Sequence, residues 1–261
     1  MTMIRVRALT AACVAAAALA LPLGLGQGAR ADEPFSADQK KAIEKIVKDY
    51  LVANPEVMLE VQNLLEAKME KQQAEKLKTA LTENAKDIYR SSNAALAGNK
   101  DGDITVTEFF DYNCGFCKKS FPEISKLISQ DPKVRVVFKE FPILSKGSEE
   151  ASKVALAARI QGKYWEFHAA MLDFKGQANE ASALKVAEKL GLDMAKLKKD
   201  MDSPEIKAEL DQVKGLATKM GINGTPHFLV GEKSIAGAPG DLLPQLTTQI
   251  GELRKSGCSY C

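Results

Sequence analysis

Ile104-Thr-Val-Thr-Glu-Phe-Phe110 runs without a break into Asp111-Tyr-Asn-Cys114-Gly-Phe-Cys117, and a second β-rich run, Val134-Arg-Val-Val-Phe-Lys-Glu-Phe141, follows it. β-branched and aromatic residues dominate both runs, and the stretch between them suits a helix. The pattern therefore predicts a parallel strand, helix, strand unit with two cysteines where the first strand hands over to the helix. Unpaired backbone N–H groups and the helix dipole stabilise a thiolate at that place, which makes Cys114 the expected nucleophile. Cys117 stands one turn further along, within reach of a mixed disulfide on Cys114, and is expected to be the resolving thiol. Glu108 shares strand parity with Ile104, Val106 and Phe110. Two readings stand for it: an inward carboxyl that assists proton transfer, or a solvated edge acid. Pro122, inside the predicted cysteine helix, is expected to kink it.

Outward from this unit, Asn99-Lys100-Asp101-Gly102 is turn-like, and residues from about Ser148 to Met220 are helical in pattern. His227 to Val230 and Ser234 to Ala236 flank Gly231-Glu-Lys as a hairpin, and Asp241 to Lys255 reads as a closing amphipathic helix. Upstream, Ile43, Ile46, Val47, Tyr50 and Leu51 recur at helical spacing until Asn54-Pro55 interrupts them. From Val57 no Gly or Pro occurs until Gly98, which suits a long helix. Val57, Met58, Val61, Leu64 and Leu65 give it an apolar face, Lys68 to Lys78 is mostly charged or amide, and Leu77, Leu81 and Ile88 resume a sparse stripe. Residues 32–98 are accordingly expected to be a helical stalk whose apolar ends dock either on another copy of the chain, through residues 35–97, or back on the same chain.

The chain has 261 residues, 45% hydrophobic and 27% charged, enough for a sizeable core and incompatible with a collagen-like, wholly disordered or multi-pass membrane protein. Removing Arg5, Arg7 and Arg30 from the 36 basic residues leaves 33 against 34 acidic, a balance that favours no nucleic-acid partner. The basic start, the apolar run from Ala8 to Leu25 and Ala29-Arg30-Ala31 read as an export signal over residues 1–31, cleaved after Ala31. A retained anchor is the competing reading, although Pro22, Gly24, Gly26 and Gly28 interrupt the apolar run. Cys13 would leave with the signal, so the exported chain carries two close pairs, Cys114/Cys117 and Cys258/Cys261, and paired cysteines in an exported chain suggest disulfide chemistry. About 140 residues separate the pairs, which argues against one zinc site. No metal or other cofactor is expected at Cys114 and Cys117. His168 and His227 are expected to be packing or surface residues. The tail at 257–261 is expected to be mobile, its cysteines a second dithiol, a Cu(I) site or an inert loop disulfide.

Glu-Phe-Phe-Asp-Tyr-Asn-Cys-Gly-Phe-Cys, the helical insertion and Gly224-Thr225-Pro226 resemble the DsbA-like, thioredoxin-fold family of exported thiol-disulfide oxidoreductases, over nearly all of Asp103 to Lys255. The resemblance implies an α/β thioredoxin-like fold over residues 99–256 with a helical insertion at about 148–220. It also implies that Pro226 is cis and faces the cysteine pair, and that Thr225 offers its backbone to an extended substrate. An ordinary turn proline is the plainer alternative. Gly115-Phe116 with Thr225 looks more like the isomerase branch than the strongly oxidising branch, and the helical extension resembles the suppressor-of-copper-sensitivity C proteins (ScsC), some of which oligomerise through that segment. The expectation is thus a periplasmic disulfide isomerase acting on cysteine-containing exported proteins, with a membrane or periplasmic redox partner. The alternatives are a monomeric dithiol oxidase and a copper-binding or copper-tolerance protein.

Overall fold

A computed structural model describes residues 35–260. The expected export signal, its cleavage site and Cys13 lie outside the described residues, as does Cys261.

The chain divides into two compact units, the first ending at Val61 and the second beginning at Gln62. In the first, α1 (Ala37–Ala53) starts at a capping box in which the Ser36 side chain accepts from the Gln39 N–H and the Gln39 side chain accepts from the Ser36 N–H. It stops where the Asn54 N–H closes on the Tyr50 carbonyl ahead of Pro55. No residue of α1 is buried, and Ile43, Ile46, Val47 and Tyr50 leave an apolar stripe in solvent. The long α2 (Glu56–Tyr89) begins in this unit.

In the second unit, α2 continues past a local break at Asn84, whose side chain donates to the Ala80 carbonyl, and buries Leu77, Ala80, Leu81, Ile88 and Tyr89. Five strands follow: β1 (Ala95–Gly98), β2 (Ile104–Phe110), β3 (Val134–Glu140), β4 (His227–Val230) and β5 (Lys233–Ala236). They form one sheet in the order β1-β3-β2-β4-β5. β2 and β3 are parallel and every other pairing is antiparallel. The crossover is α3 (Gly115–Gln130), with Pro122 inside it, so the strand, helix, strand unit forms where the cysteines require it.

Residues along β2 and β3 are buried on both faces. Ile104, Val106, Phe110, Val136 and Phe138 face a cluster built from α3, the helices α4 (Lys146–Ile160) to α7 (Met194–Asp200), and α9 (Leu242–Ser256). Phe109 and Leu229 face the opposite cluster, built from the C-terminal half of α2 and the later turns of α8 (Pro204–Met220). The insertion between β3 and β4 consists of α4, α5 (Tyr164–Asp173), α6 (Glu180–Lys189), α7 and α8.

Three expectations change. The helical stretch expected to reach residue 98 ends at Tyr89, and Ala95–Gly98 is an edge strand on β3. Gly98 takes φ +77°, and a Cβ there would meet the Val134 carbonyl at 2.7 Å, so the strand can end only on a residue without a side chain. Leu77, Leu81 and Ile88, read as part of a sparse stalk stripe, are core residues of the sheet's second face. The tail also differs from the mobile segment expected. Cys258 and Tyr260 are half-buried and pack against the two clusters, with the Tyr260 and Thr82 hydroxyls 3.4 Å apart.

Candidate thiol-disulfide site

Cys114 is the N-cap of α3 and only 6% exposed, and Cys117 is completely buried one turn on. Both are free thiols. The loop before them is stitched in place by side chains of its own. Asp111 accepts the Asn113 N–H at 2.7 Å on one oxygen and the Ile143 and Leu144 N–H groups at 2.9 and 3.0 Å on the other. Asn113 accepts the Ala178 N–H at 2.7 Å and donates to the Ala178 carbonyl at 2.9 Å, with the Ser145 and Ser148 hydroxyls within 3.2 Å. Sequence reasoning missed both residues. The available signal was three consecutive turn-forming polar or aromatic residues ahead of a cysteine pair, which local propensity alone does not distinguish from an ordinary loop.

The Thr225–Pro226 peptide is cis and precedes β4, which pairs with β2. This places the Thr225 carbonyl oxygen 3.2 Å from Cys114 Sγ, which donates to it as a thiol. The structure thus brings the Thr225 backbone to Cys114, with the cis Pro226 next in the chain and Cys117 one turn along α3. Gly115 and Phe116 are exposed beside the thiol, Phe116 by 62%. Ile143 and Leu144, held against the same loop by Asp111, are also solvent-facing.

The two thiols are electrostatically unlike. The Cys117 S–H, hydrogen bonding from Thr225 and the backbone N–H groups of Cys117 and Phe116 outweigh burial and lower the Cys114 pKa to about 5. Burial pushes Cys117 far above the usual thiol range, and its bond to Cys114 and the charge of Glu108 add to this. The pair is thus a thiolate beside a neutral thiol at neutral pH.

Glu108 lies inside the sheet, 2% exposed, opposite Phe138 on one side and Phe228 on the other. Its Oε1 has no hydrogen-bond partner. Burial raises its pKa to about 8, and the Cys114 charge adds to the shift. The inward alternative is therefore the one its side chain adopts. His168 is buried among aromatic rings and His227 is half-buried at the start of β4. Burial lowers their pKa values to about 3 and about 4. Cys258 is disulfide-bonded and offers no thiolate. Among the described residues no group of three or more His, Cys, Asp or Glu is arranged to hold a metal ion, and no helix is long and apolar enough to cross a membrane.

A DsbA-like thioredoxin-domain family model matches residues 105–251, and a model described as the copper resistance protein ScsC N-terminal domain matches residues 39–74. Among solved structures, a thioredoxin-like oxidoreductase from Silicibacter pomeroyi is 43% identical, with a TM-score of 0.62 over 65% of this chain and 97% of that one. ScsC of Proteus mirabilis in a transitional conformation is 26% identical, with a TM-score of 0.62 over 85% of this chain and all of that one (100%). Disulfide bond formation protein D of Bacillus subtilis is 30% identical over 158 residues, which are 54% of this chain and 68% of that protein. The chain spans about a fifth of the length of the first curated relatives it matches; its 137 aligned residues are 21% of a Na(+)/H(+) antiporter NhaA of Salinispora tropica, at 27% identity. The DsbA-like match runs through every residue of the thiol site, Glu108 and the cis-proline included, and extends over more than half the sequence. The chain belongs to the DsbA-like thioredoxin-domain family, and its N-terminal residues 39–74 are similar to the ScsC N-terminal domain.

Proposed function

We propose that the protein is a disulfide isomerase of exported proteins, working in the periplasm as an oligomer joined through its N-terminal helices. The observation that carries the chemistry is the thiolate of Cys114 beside the buried neutral thiol of Cys117. The Cys114 thiolate attacks one sulfur of a client disulfide. A bond forms between Cys114 and that sulfur, the client S–S bond breaks, and the other client sulfur leaves as a thiolate. In isomerisation a different client thiolate then attacks the mixed disulfide, a new client disulfide forms and Cys114 leaves unchanged in redox state. In the competing branch Cys117 loses its proton and attacks Cys114, which releases a reduced client and leaves the Cys114–Cys117 disulfide.

Glu108 is the proposed acceptor of the Cys117 proton. Part of its raised pKa comes from the negative charge on Cys114. That charge disappears when the mixed disulfide forms, so the carboxyl becomes a stronger acid and spends more time as the base that the next step requires. Thr225 and Pro226 are proposed to hold the client backbone beside Cys114, and exposed Phe116, Ile143 and Leu144 to offer it apolar contact.

The isomerase reading is supported by the apolar stripe of α1, which no described residue of its own unit covers, and by the ScsC-type N-terminal match. Copies joined there would hold a misfolded client while Cys114 attacks, leaves and attacks again. The reading as a monomeric oxidase is favoured by the low Cys114 pKa, which stabilises the dithiol and makes its disulfide oxidising. Refolding of a scrambled multi-disulfide protein, by the wild type beside an Ile46→Glu/Tyr50→Glu variant, separates the two. The isomerase reading requires the variant to lose both self-association and unscrambling while still oxidising a reduced client.

A further inference from the structure

On the insertion side of the sheet a carboxyl group is buried at a junction of three elements. Glu140, the last residue of β3, pairs in register with Phe110 at the end of β2 and is 2% exposed. Its Oε1 accepts from the Tyr164 hydroxyl of α5 at 2.7 Å and from the Tyr112 hydroxyl at 3.2 Å, and its Oε2 accepts from the Ser152 hydroxyl of α4 at 2.7 Å. Tyr112 is the middle residue of the loop that delivers Cys114, two positions before the nucleophile. Its hydroxyl also lies 3.3 Å from His168 Nδ1. With the Tyr112 hydrogen directed to Glu140, the His168 tautomer that fits this contact is the one assigned its proton on Nδ1. The His168 ring is packed by Phe138 at 4.2 Å and Phe110 at 4.6 Å.

A buried carboxyl is costly, and a hydrophobic core of this size does not need one for packing. What Glu140 supplies is direction: three hydroxyls from three separate elements converge on one group, and one of them belongs to the active-site loop. The donors that hold the Cys114 thiolate include backbone N–H groups of Phe116 and Cys117, whose aim depends on how that loop enters α3.

We propose that Glu140, acting through the Tyr112 hydroxyl, is a positioning residue for the Cys114 thiolate, locking the loop that carries it to helices α4 and α5 of the insertion. Burial raises the Glu140 carboxyl to about 8 although all three hydroxyls pull the other way, in keeping with a group retained for its geometry rather than its charge. The titratable groups around it are Tyr112, Tyr164 and, through Tyr112, His168, with Glu209 acting at longer range. The proposal rests on the thiol-exchange reading of Cys114.

The test is the rate of alkylation of reduced Cys114 by iodoacetamide as a function of pH, in the full chain. Glu140→Ala and Tyr112→Phe are expected to move the ionisation midpoint upward by about one unit, so that the rate at pH 4.5 falls about tenfold. Glu140→Gln, which keeps an acceptor in the same place, is expected to stay within about twofold of wild type. Leu81→Ala, a cavity on the opposite face of the sheet, sets the comparison for lost stability and is expected to leave the midpoint alone. If Glu140→Ala fails to fold, Tyr112→Phe decides. Melting points that drop while the midpoint stays at the wild-type value would overturn the proposal. A wild-type midpoint in the ordinary thiol range would instead overturn the thiol-exchange reading itself, and the proposal with it.

Discussion

At the scale of single residues, two groups a few ångströms into the same fold respond oppositely to pH. The Cys114 pKa is lowered from 9.0 to about 5, so the thiolate stabilises the reduced folded form at pH values above 9.0, and that contribution is lost as pH falls through about 5. At pH 7 it amounts to roughly 2 kcal/mol once solvent screening is allowed for. The difference in melting temperature between reduced and oxidised protein should accordingly shift toward the oxidised form between pH 7 and pH 4. Thiolate absorbance should titrate with a midpoint near 5, and Cys117→Ala, which removes the principal donor, should raise that midpoint. Glu108 is the reverse case. Its pKa is raised from 4.5 to about 8, so its burial is tolerated below 4.5 and lowers stability progressively as pH rises through that window. Glu108→Gln should therefore stabilise the reduced protein, on the order of 3 kcal/mol at pH 7, while slowing Cys117-dependent release of a mixed disulfide by about 10- to 100-fold. Thermal melts and single-turnover release read the two effects separately. The cysteines and Glu108 were legible in the sequence because strand parity and the strand-to-helix junction are local patterns. Glu140 was not, since its partners Ser152, Tyr164 and Tyr112 lie 12, 24 and 28 residues away and no local period marks them.

The elements differ in how far sequence carries them. β2, α3 and β3 follow directly from β-branched runs around a turn and a helix start, whereas the β2–β3 register does not, because both strands are buried on both faces and carry no alternation to fix it. Nor does β1, because Ala95-Leu-Ala-Gly98 has no β-branched residue and its strand conformation comes from pairing with β3. α2 shows the same limit. Its first turns and its last turns have similar amphipathic spacing, yet Leu64 and Leu65 are exposed whereas Leu81 and Ile88 are completely buried. Chain-local periodicity predicts a face without naming what covers it. Leu81→Ala or Ile88→Ala should cost about 2–5 kcal/mol in chemical denaturation, and Leu64→Ala should cost the monomeric fold almost nothing. A truncation intended to remove only the N-terminal extension must therefore stop well before Leu77. Deleting through residue 97 would take away β1 and much of the second core cluster, and any loss of activity would report unfolding.

For the whole molecule, the thiol site fixes what one copy can do to one disulfide, and the proposed joining of copies through the N-terminal helices would set how many such sites a client meets. Ile43, Ile46, Val47 and Tyr50 stand 43 to 67% exposed on one side of α1, an apolar stripe of the kind that marks association. Ile46→Glu/Tyr50→Glu should convert the assembly into monomers by light scattering while leaving the Cys114 ionisation midpoint unchanged, because neither residue belongs to the unit that holds the thiols. The measurement that bears most directly on the central claim is recovery of activity from a scrambled multi-disulfide protein by wild type, Cys114→Ala and Ile46→Glu/Tyr50→Glu chains. Recovery with wild type alone, with the monomeric variant still able to oxidise a reduced client, is the result predicted. Equal recovery by wild type and the Cys114→Ala variant, or none by wild type under a glutathione buffer, would contradict the assignment of this chain as a Cys114-dependent isomerase.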